Sequence, residues 1–399
     1  MSYSASGHSE SPWELRSVGD LCAVVTSGGT PSRSNSRYFN PGRVPWIKTG
    51  DLIDGYITKY DEYISEEGVA NSSAKLLPTD TVLMAMYGAT VGRLGMLSEP
   101  ATCNQAACAM VVDSAVTEPR WLFYVLLNDR TRIVSKANGA AQQNLSARAI
   151  REFRYPTPSL PEQRAIAEVL GVLDDKIAGN TKLASTADAW VRTAFAGAVY
   201  RSHSKIVLGK LVASVKNLVD PIMIPVNTMY VGLEHVPRRL MWLNSSGTVG
   251  SVTSTKFRFE AGDVLFGKLR PYFHKIVSAP RDGVCSTDVL VARPVDKKMA
   301  GFVLAAMASD DVVKQCAAAS EGTRMPRTNW KDLAAIQVVW PGDQAVFALS
   351  EKITNLRDAV EARLRENEIL ADTRGALLPQ LMSGKLRVKD AEKVAEEVL

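Results

Sequence analysis

Two apolar stripes, repeated at one fixed spacing, constrain this chain more than anything else in it. Ile166, Leu170, Leu173 and Ile177 recur at steps of four, three and four, which puts side chains on one narrow face of an α-helix. Ser159, Leu160, Pro161 and Glu162 stand just before them, a combination suited to opening a helix. The opposite face carries Arg164, Glu168, Asp174 and Lys176. Gly171 and Gly179 weaken the pattern, but nothing breaks it before Gly197. The spacing predicts a helix from Pro161 to about Ala196, roughly 50 Å long at 1.5 Å per residue. An amphipathic helix on a single globular core is the common outcome for such a stripe. Its length, its central position and a second copy argue against that here.

The second copy lies near the C-terminus. Leu349, Ile353, Leu356 and Val360 repeat the steps, each 183 positions after its counterpart. The same offset relates Trp340-Pro341 to Thr157-Pro158, Leu333 to Ile150, and GDVLFGKLRP (Gly262 to Pro271) to TDTVLMAMYG (Thr79 to Gly88). Nearer the N-terminus, VPWIKTGDL at Val44 aligns with TMYVGLEHV at Thr228 only after a shift of about one residue. One offset held over such a length predicts a tandem duplication. The expected division is a disordered leader (1–12), a half-domain (13–158), a helical spacer (159–200), a second half-domain (201–341), a second spacer (342–388) and a tail (389–399). Short β-elements with one or two helices fill each half-domain, which predicts an α+β class. The chain would be two tandem α/β domains, separated and followed by long helices that pair as an antiparallel coiled coil. In that pair, Ile166, Leu170, Leu173 and Ile177 are expected to face Leu349, Ile353, Leu356 and Val360. Struts of this length would hold the two domains well apart.

With 399 residues, 46% hydrophobic and 22% charged, the composition is that of a soluble globular protein with core enough for two or three domains. No apolar run approaches a membrane span, and the start MSYSASGHSES has no signal pattern. Cys22, Cys103, Cys108, Cys285 and Cys316 contain no CxxC pair and have no histidine near them. They read as buried, reduced thiols of a cytoplasmic protein. The net charge of +5 is unevenly spread: 15 basic and 14 acidic residues over 13–158, but 19 and 11 over 201–341. The helical segments are slightly acidic. A basic half-domain is a weak sign of nucleic-acid binding by itself.

The loops between the short strands carry the candidate binding residues. In the first half these are Ser27, Gly28 and Thr30 with Arg33; Lys48 and Thr49; Tyr87, Thr90 and Arg93; Asn104 and Gln105; and Gln142, Gln143 and Asn144. Asn and Gln can bond a base edge bidentately, Arg does so on guanine, and glycine lets a backbone come close. The bland alternatives are a surface loop at 27–31 and a satisfied turn pair at Asn104-Gln105. Each outweighs the functional reading when taken alone. The second half offers Lys216, Lys268, Arg270, Tyr272, Thr287, Arg324 and Arg327 at matching places. The framework repeats while the loop chemistry changes, which suits two readers of two different targets. Walker, GxGxxG, HExxH and GxSxG motifs are absent, and the four histidines are scattered. Asn40-Pro41 runs into Gly-Arg, unlike the Asn-Pro-Pro-aromatic pocket of an adenine methyltransferase. No catalytic or metal constellation is visible.

LPEQRAIAEVLGVLDDKI after a Tyr-Pro-x-Pro strand, the ending GALLPQLMSGKLRV (Gly375 to Val388) and the duplicated plan resemble the specificity subunit of type I restriction-modification enzymes. The resemblance runs from about Trp13 to Val388. The second copy departs from it, with Gly342-Asp343-Gln344 in place of Leu-Pro-Glu. The resemblance implies that the half-domains are target recognition domains for double-stranded DNA and that the helices are spacers. It further implies a bipartite, asymmetric target, and docking of methyltransferase subunits (two of them) and of restriction subunits on the helices. Glu162, Glu168, Asp174 and Asp175 would then form the exposed docking side. The chain would bind no cofactor or metal itself, with S-adenosylmethionine, ATP and Mg belonging to the partners. The alternatives are a self-contained methyltransferase or nuclease with its own recognition domains, and a coiled-coil interaction scaffold.

Overall fold

A computed structural model describes residues 13–137, 144–320 and 326–399. The expected leader, Gln142, Gln143 and Arg324 lie outside the described residues. The chain forms two compact units, Met1–Lys176 with Ile369–Leu399 and Ile177–Glu368. Their boundaries fall inside the two long helices, Leu160–Val199 and Asp343–Met382. Each helix therefore serves both units, where the sequence assigned it to a spacer of its own.

In the first unit, Glu14–Ser17 pairs antiparallel with Arg154–Thr157 and brings the ends of the half-domain together. Between them lies a five-stranded sheet in the order Cys22–Ser27, Ala107–Val112, Val82–Ala85, Leu94–Leu97, Tyr56–Ile57. A three-stranded sheet runs Tyr63–Ile64, Val44–Ile47, Thr102–Cys103. Val82–Ala85 is apolar at every position and buried at every position, as a central strand covered on both faces must be. Pro119–Asn128 packs Trp121 and Tyr124 into the core. The helix expected over Pro119 to Val134 is two helices, the second being Arg130–Ser135. Asp129 interrupts them, its carboxylate accepting from Tyr155 Oη at 2.8 Å and from Arg132 Nε at 2.8 Å.

Residues 160–176 dock on this half-domain through Gln163, which is 1% exposed. Its Oε1 accepts from the Glu118 backbone at 3.0 Å, and its Nε2 donates to the Val116 and Pro158 carbonyls, both at 3.0 Å. Ile166, Leu170 and Leu173 are buried here, with Leu370, Leu377 and Leu381 from the second long helix. Full burial of each such side chain contributes about 1.5–3 kcal/mol. Asp174 accepts from Tyr124 Oη at 2.6 Å and pairs with Arg374. Asp175 takes both guanidinium nitrogens of Arg120 at 2.8 and 3.0 Å. These two carboxylates therefore tie the helix to its own domain, where the sequence reading had left them free for docking. Residues 389–399, expected as a tail, include the helix Val388–Glu396, which buries Ala391 and Ala395 one turn apart.

The second unit is closed by an equivalent strand pair but divides its strands differently, four in one sheet and five in the other. Lys205–Val207 pairs with Gln337–Val339. One sheet runs Val212–Val215, Val289–Pro294, Val264–Gly267, Ile276–Ser278, and the other Leu218–Val219, Lys256–Phe259, Gly283–Cys285, Met229–Val231, Gly247–Thr248. Its anchors to the helices differ. Trp242, fully buried, donates from Nε1 to the Ala184 carbonyl at 2.9 Å. Asp188 accepts from the Met241 backbone at 2.8 Å and from Arg192 at 2.7 Å. On the other helix Ser350 Oγ accepts from Gly301 N at 3.0 Å. A Cβ on Gly301 would stand 2.4 Å from the Ser350 carbonyl oxygen, so only glycine allows the approach.

Within this unit the two helical segments run in opposite directions. Asn180 Nδ2 donates to Asn367 Oδ1 at 2.8 Å and Asn367 Nδ2 to the Ile177 carbonyl at 3.4 Å. Two to three turns on, Ala187 and Trp190 share a groove with Leu356 and Asn355. Leu349, Ile353 and Val360 are buried here with Ala184, Ala187 and Val191. The expected facing of the two stripes is corrected accordingly. Each stripe occupies the first half of its own helix, and in an antiparallel arrangement a first half meets a second half. Ile166, Leu170 and Leu173 lie in one unit, and Leu349, Ile353, Leu356 and Val360 in the other.

Two measurements check this packing. Gln163→Ala strips three hydrogen bonds from a buried seam and is expected to cost about 2–4 kcal/mol in urea unfolding. Glu168→Ala, on the exposed face of the same helix, should stay within about 0.5 kcal/mol. Glu361 is 7% exposed in a seam lined by Leu243, Pro280 and Leu364, and its Oε1 has no partner. Burial, opposed by the Arg357 guanidinium, pushes its carboxyl up to about 7. The folded chain thus holds a proton there that the unfolded chain releases near its ordinary value, and stability is lost as pH rises toward 7. Glu361→Gln should escape that loss, gaining at most about 3 kcal/mol at pH 8 and little at pH 5. A gain that did not shrink on acidification would contradict the assignment.

Candidate nucleic-acid interface

Antiparallel neighbours end side by side, so alternate loops of a sheet collect at one end. In the first unit, Ser27 lies opposite Cys108 and Ala85 opposite Ala107. Backbone hydrogen bonds stitch the loops at that end together: Gly28 N to Ala107 O at 3.1 Å, Gly29 N to Cys103 O at 2.9 Å, Asn104 N to Ile47 O at 2.8 Å, Met86 N to Ala106 O at 2.9 Å. A Cβ on Gly28 would lie 2.2 Å from the Cys103 carbonyl oxygen, so the 27–31 loop can close on its neighbour only because that position is glycine.

This end gathers Ser27, Gly28, Thr30, Lys48, Thr49, Tyr87, Asn104, Gln105 and Asn144. Thr30 Oγ1 bonds Gln105 Oε1, and Tyr87 bridges Asn144. Thr90 and Arg93 lie in the adjoining hairpin return, where Arg93 N donates to Thr90 O at 2.9 Å and the Arg93 side chain is exposed. Asn104 Oδ1 accepts from Ala106 N at 3.1 Å, which uses its acceptor on its own turn. Arg33 and Lys48 converge on one carboxylate: Nη2 reaches Glu62 Oε2 at 2.7 Å and Nζ reaches Oε1 at 2.8 Å. Hydrogen bonds from Lys48 and then Arg33 hold the Glu62 carboxyl below the usual range. Arg33 also lies over Phe39 and Trp46, 4.6 and 5.0 Å from the ring centres. The edge of this unit is therefore polar, with Arg33 and Lys48 fixed in place by Glu62. Nothing local in the sequence marks Glu62 as their partner.

The second unit turns the corresponding strand ends outward with more charge. Lys268 N donates to Asp288 O at 2.8 Å, Lys268 Nζ to the Thr287 carbonyl, and Arg270 N to Pro326 O at 2.8 Å. Thr287 thus contributes its backbone. Leu269 bridges Arg327, whose guanidinium pairs with Asp288. Burial, and then the Arg327 charge, lower the Lys268 ammonium below its ordinary value, with Lys216 adding in the same direction. Lys275, bonded to the Leu233 carbonyl, is lowered by burial and then by Arg238. Arg327 and Lys216 thus stand close enough to Lys268, and Arg238 to Lys275, to add to the effect of burial. Arg238 stacks 3.8 Å over Phe273, and Tyr272, about half exposed, meets the same ring edge-on. Arg270 is exposed and holds a left-handed backbone with φ of 49°. The sequence reading named Lys216, Lys268, Arg270, Tyr272 and Arg327; it did not name Lys275, at the far end of the loop that carries Lys268 and Arg270, or Arg238, on another loop. The rise in basic residues over 201–341 was the available signal.

Elsewhere the chemistry is quiet. All five cysteines are free and buried, and burial pushes each thiol up to about 12. Among the described residues no cluster of histidine, cysteine and acids is arranged to hold a metal, and no helix is long and apolar enough to cross a membrane.

The family described as type I restriction modification DNA specificity domain matches residues 10–186. Curated relatives are similar to this chain as well. The EcoR124I/EcoR124II specificity subunit of Escherichia coli is 25% identical over 40% of this chain and 41% of its own length. The MjaIX specificity subunit of Methanocaldococcus jannaschii is 29% identical over 43% and 40%. These alignments span about two fifths of the relatives' length. The MjaVIII specificity subunit of the same archaeon aligns with 95% of this chain and 94% of itself at 20% identity. A crystal structure of the type I restriction-modification S subunit from M. genitalium has the same fold, with a TM-score of 0.57 at 16% identity, covering 94% of this chain and 97% of that one.

Proposed function

We propose that this chain is the specificity subunit of a type I restriction-modification system, reading a bipartite, asymmetric duplex target with two recognition domains. The observation that carries this is the cation cluster of Lys216, Lys268, Arg327, Arg238 and Lys275 at the strand ends of the second unit. Backbone phosphates supply the attraction, and loop side chains on base edges supply the sequence preference. The first unit gathers Thr30, Gln105 and Asn144 at the equivalent end, a polar set suited to base edges rather than phosphates. Different chemistry at equivalent ends supports an asymmetric target, and the antiparallel pair that closes each half-domain supports an internal duplication.

In this reading the long helices pair as an antiparallel coiled coil, supported by the Asn180–Asn367 and Asp174–Arg374 contacts, and offer the surface on which two methyltransferase subunits and the restriction subunits dock. Asp174 and Asp175 belong to the domain anchor, so Glu162, Glu168 and other outward positions remain for docking. The chain itself is a non-catalytic, cytoplasmic DNA reader; S-adenosylmethionine, ATP and Mg act in its partners.

Fluorescence anisotropy with mixed-sequence duplex should show affinity falling steeply with salt. Arg270→Ala should weaken the preferred duplex by about 1–3 kcal/mol if that arginine reads a guanine; at a phosphate it should weaken all sequences alike and flatten the salt slope. Loss of neither would remove this loop from the interface. With labelled S-adenosylmethionine, the isolated chain should leave duplex unlabelled until methyltransferase subunits are added, and transfer by the pure chain would overturn the non-catalytic assignment.

A further inference from the structure

Ile222 and Met223 are 89% and 76% exposed, adjacent, and large. They form the crest of the short turn Pro221–Met223, between the edge strand Leu218–Val219 and the strand Met229–Val231. The crest is held firmly. Asp220 Oδ1 accepts from Ile222 N at 3.0 Å, Pro221 is buried, and Ile224 packs with Val249 and Val284 just behind. Two apolar side chains are thus presented to water on a rigid mount, with nothing in the unit covering them.

Their place in the sheet says what they face. Val219 lies opposite Lys256, and Phe257 opposite Cys285. The residues after Cys285 form the turn whose Thr287 and Asp288 carbonyls hold Lys268. Strands stand about 4.8 Å apart, so the crest lies two strands, roughly 10 Å, along the same strand ends from the cation cluster. Lys216, just before the strand that leads to it, is exposed, whereas Lys256 is buried with its ammonium bonded to Ser254. Asp220, the nearest acid in sequence, spends an oxygen on capping the turn. In the first unit the turn at the equivalent place, Ser36–Tyr38 between Cys22–Ser27 and Val44–Ile47, presents the exposed Arg37 instead. One unit puts a cation at this position and the other an apolar pair.

We propose that Ile222 and Met223 are an apolar wedge that enters between stacked base pairs of the duplex, while exposed cations of the neighbouring cluster, Lys216 and Arg327 among them, hold phosphates. Isoleucine and methionine are among the side chains that unstack a base step and bend DNA, and the flanking positive charge selects a polyanion over an apolar protein face. The bend makes this unit sensitive to the stiffness of the step it enters, so it would favour flexible pyrimidine–purine steps at a position it does not hydrogen-bond. The wedge rests on the DNA-reading function above, and its test separates the two.

The full-length chain is used to enrich bound duplexes from a randomised 30-base-pair pool, and the enriched duplex is end-labelled with a donor and an acceptor dye. The wild-type chain should raise energy transfer on binding. The double variant Ile222→Ser, Met223→Ser should bind roughly tenfold more weakly and leave the duplex straight, with an unchanged salt slope because no cation is lost. Ile222→Leu should keep the bend. Both substituted side chains lie outside the core, and matching thermal melts confirm that the variants fold. Equal binding and equal bending by the double variant would overturn the wedge and leave DNA reading intact. A wild-type chain that binds no duplex at low salt would overturn both. Unchanged DNA behaviour with lost self-association in sedimentation would make the crest a contact between chains and overturn the wedge.

Discussion

A forty-residue helix is not stable in water unless its apolar face is covered, and both long helices here meet that condition in two instalments. The first turns of Leu160–Val199 are covered by the N-terminal half-domain and the end of the other helix, and its last turns by the C-terminal half-domain. Buried polar groups fix each docking: Gln163 with three backbone partners in one unit, Trp242 and Asp188 in the other. Apolar burial alone tolerates sliding by a turn. A buried amide with three partners does not, since any shift leaves donors and acceptors dry and unpaired. The strand ends that carry the loops are aimed by these bonds.

The two units use their loop ends differently although each is closed by an antiparallel strand pair. In the first, Arg33 and Lys48 share Glu62, so the edge offers directed hydrogen bonds with little field. In the second, Asp288 and the exposed Glu234 stand among Lys216, Lys268, Lys275, Arg238 and Arg327. A long-range field and a set of short-range polar contacts act at different stages of an encounter: one raises the approach rate and the other discriminates after contact.

Periodicity made much of this legible. The two stripes and their common offset showed the helices, and the turn residues showed which loops would carry polar chemistry. What a single-helix pattern cannot show is a third element. Asp174 and Asp175 look solvent-facing on a helical wheel, yet Tyr124, Arg374 and Arg120 arrive from elsewhere in the chain to bond them. Glu62 is hidden for the same reason, being 29 and 14 residues from its two cations. The stripe register was misread because equal offset suggests equal position, whereas reversed direction sets each half against its opposite. The helix Val388–Glu396 escaped because its buried face is only alanine.

The division of the chain also fixes an order of events during synthesis. The second unit, Ile177–Glu368, is one uninterrupted segment, whereas the first needs Ile369–Leu399 as well as Met1–Lys176. Leu370, Leu377 and Leu381, which are buried in the first unit, follow the whole of the second unit in the chain. The half made first therefore waits with Ile166 and Leu170 uncovered while the half made later can already close, and its apolar surface is hidden only by a segment synthesised after an entire second unit.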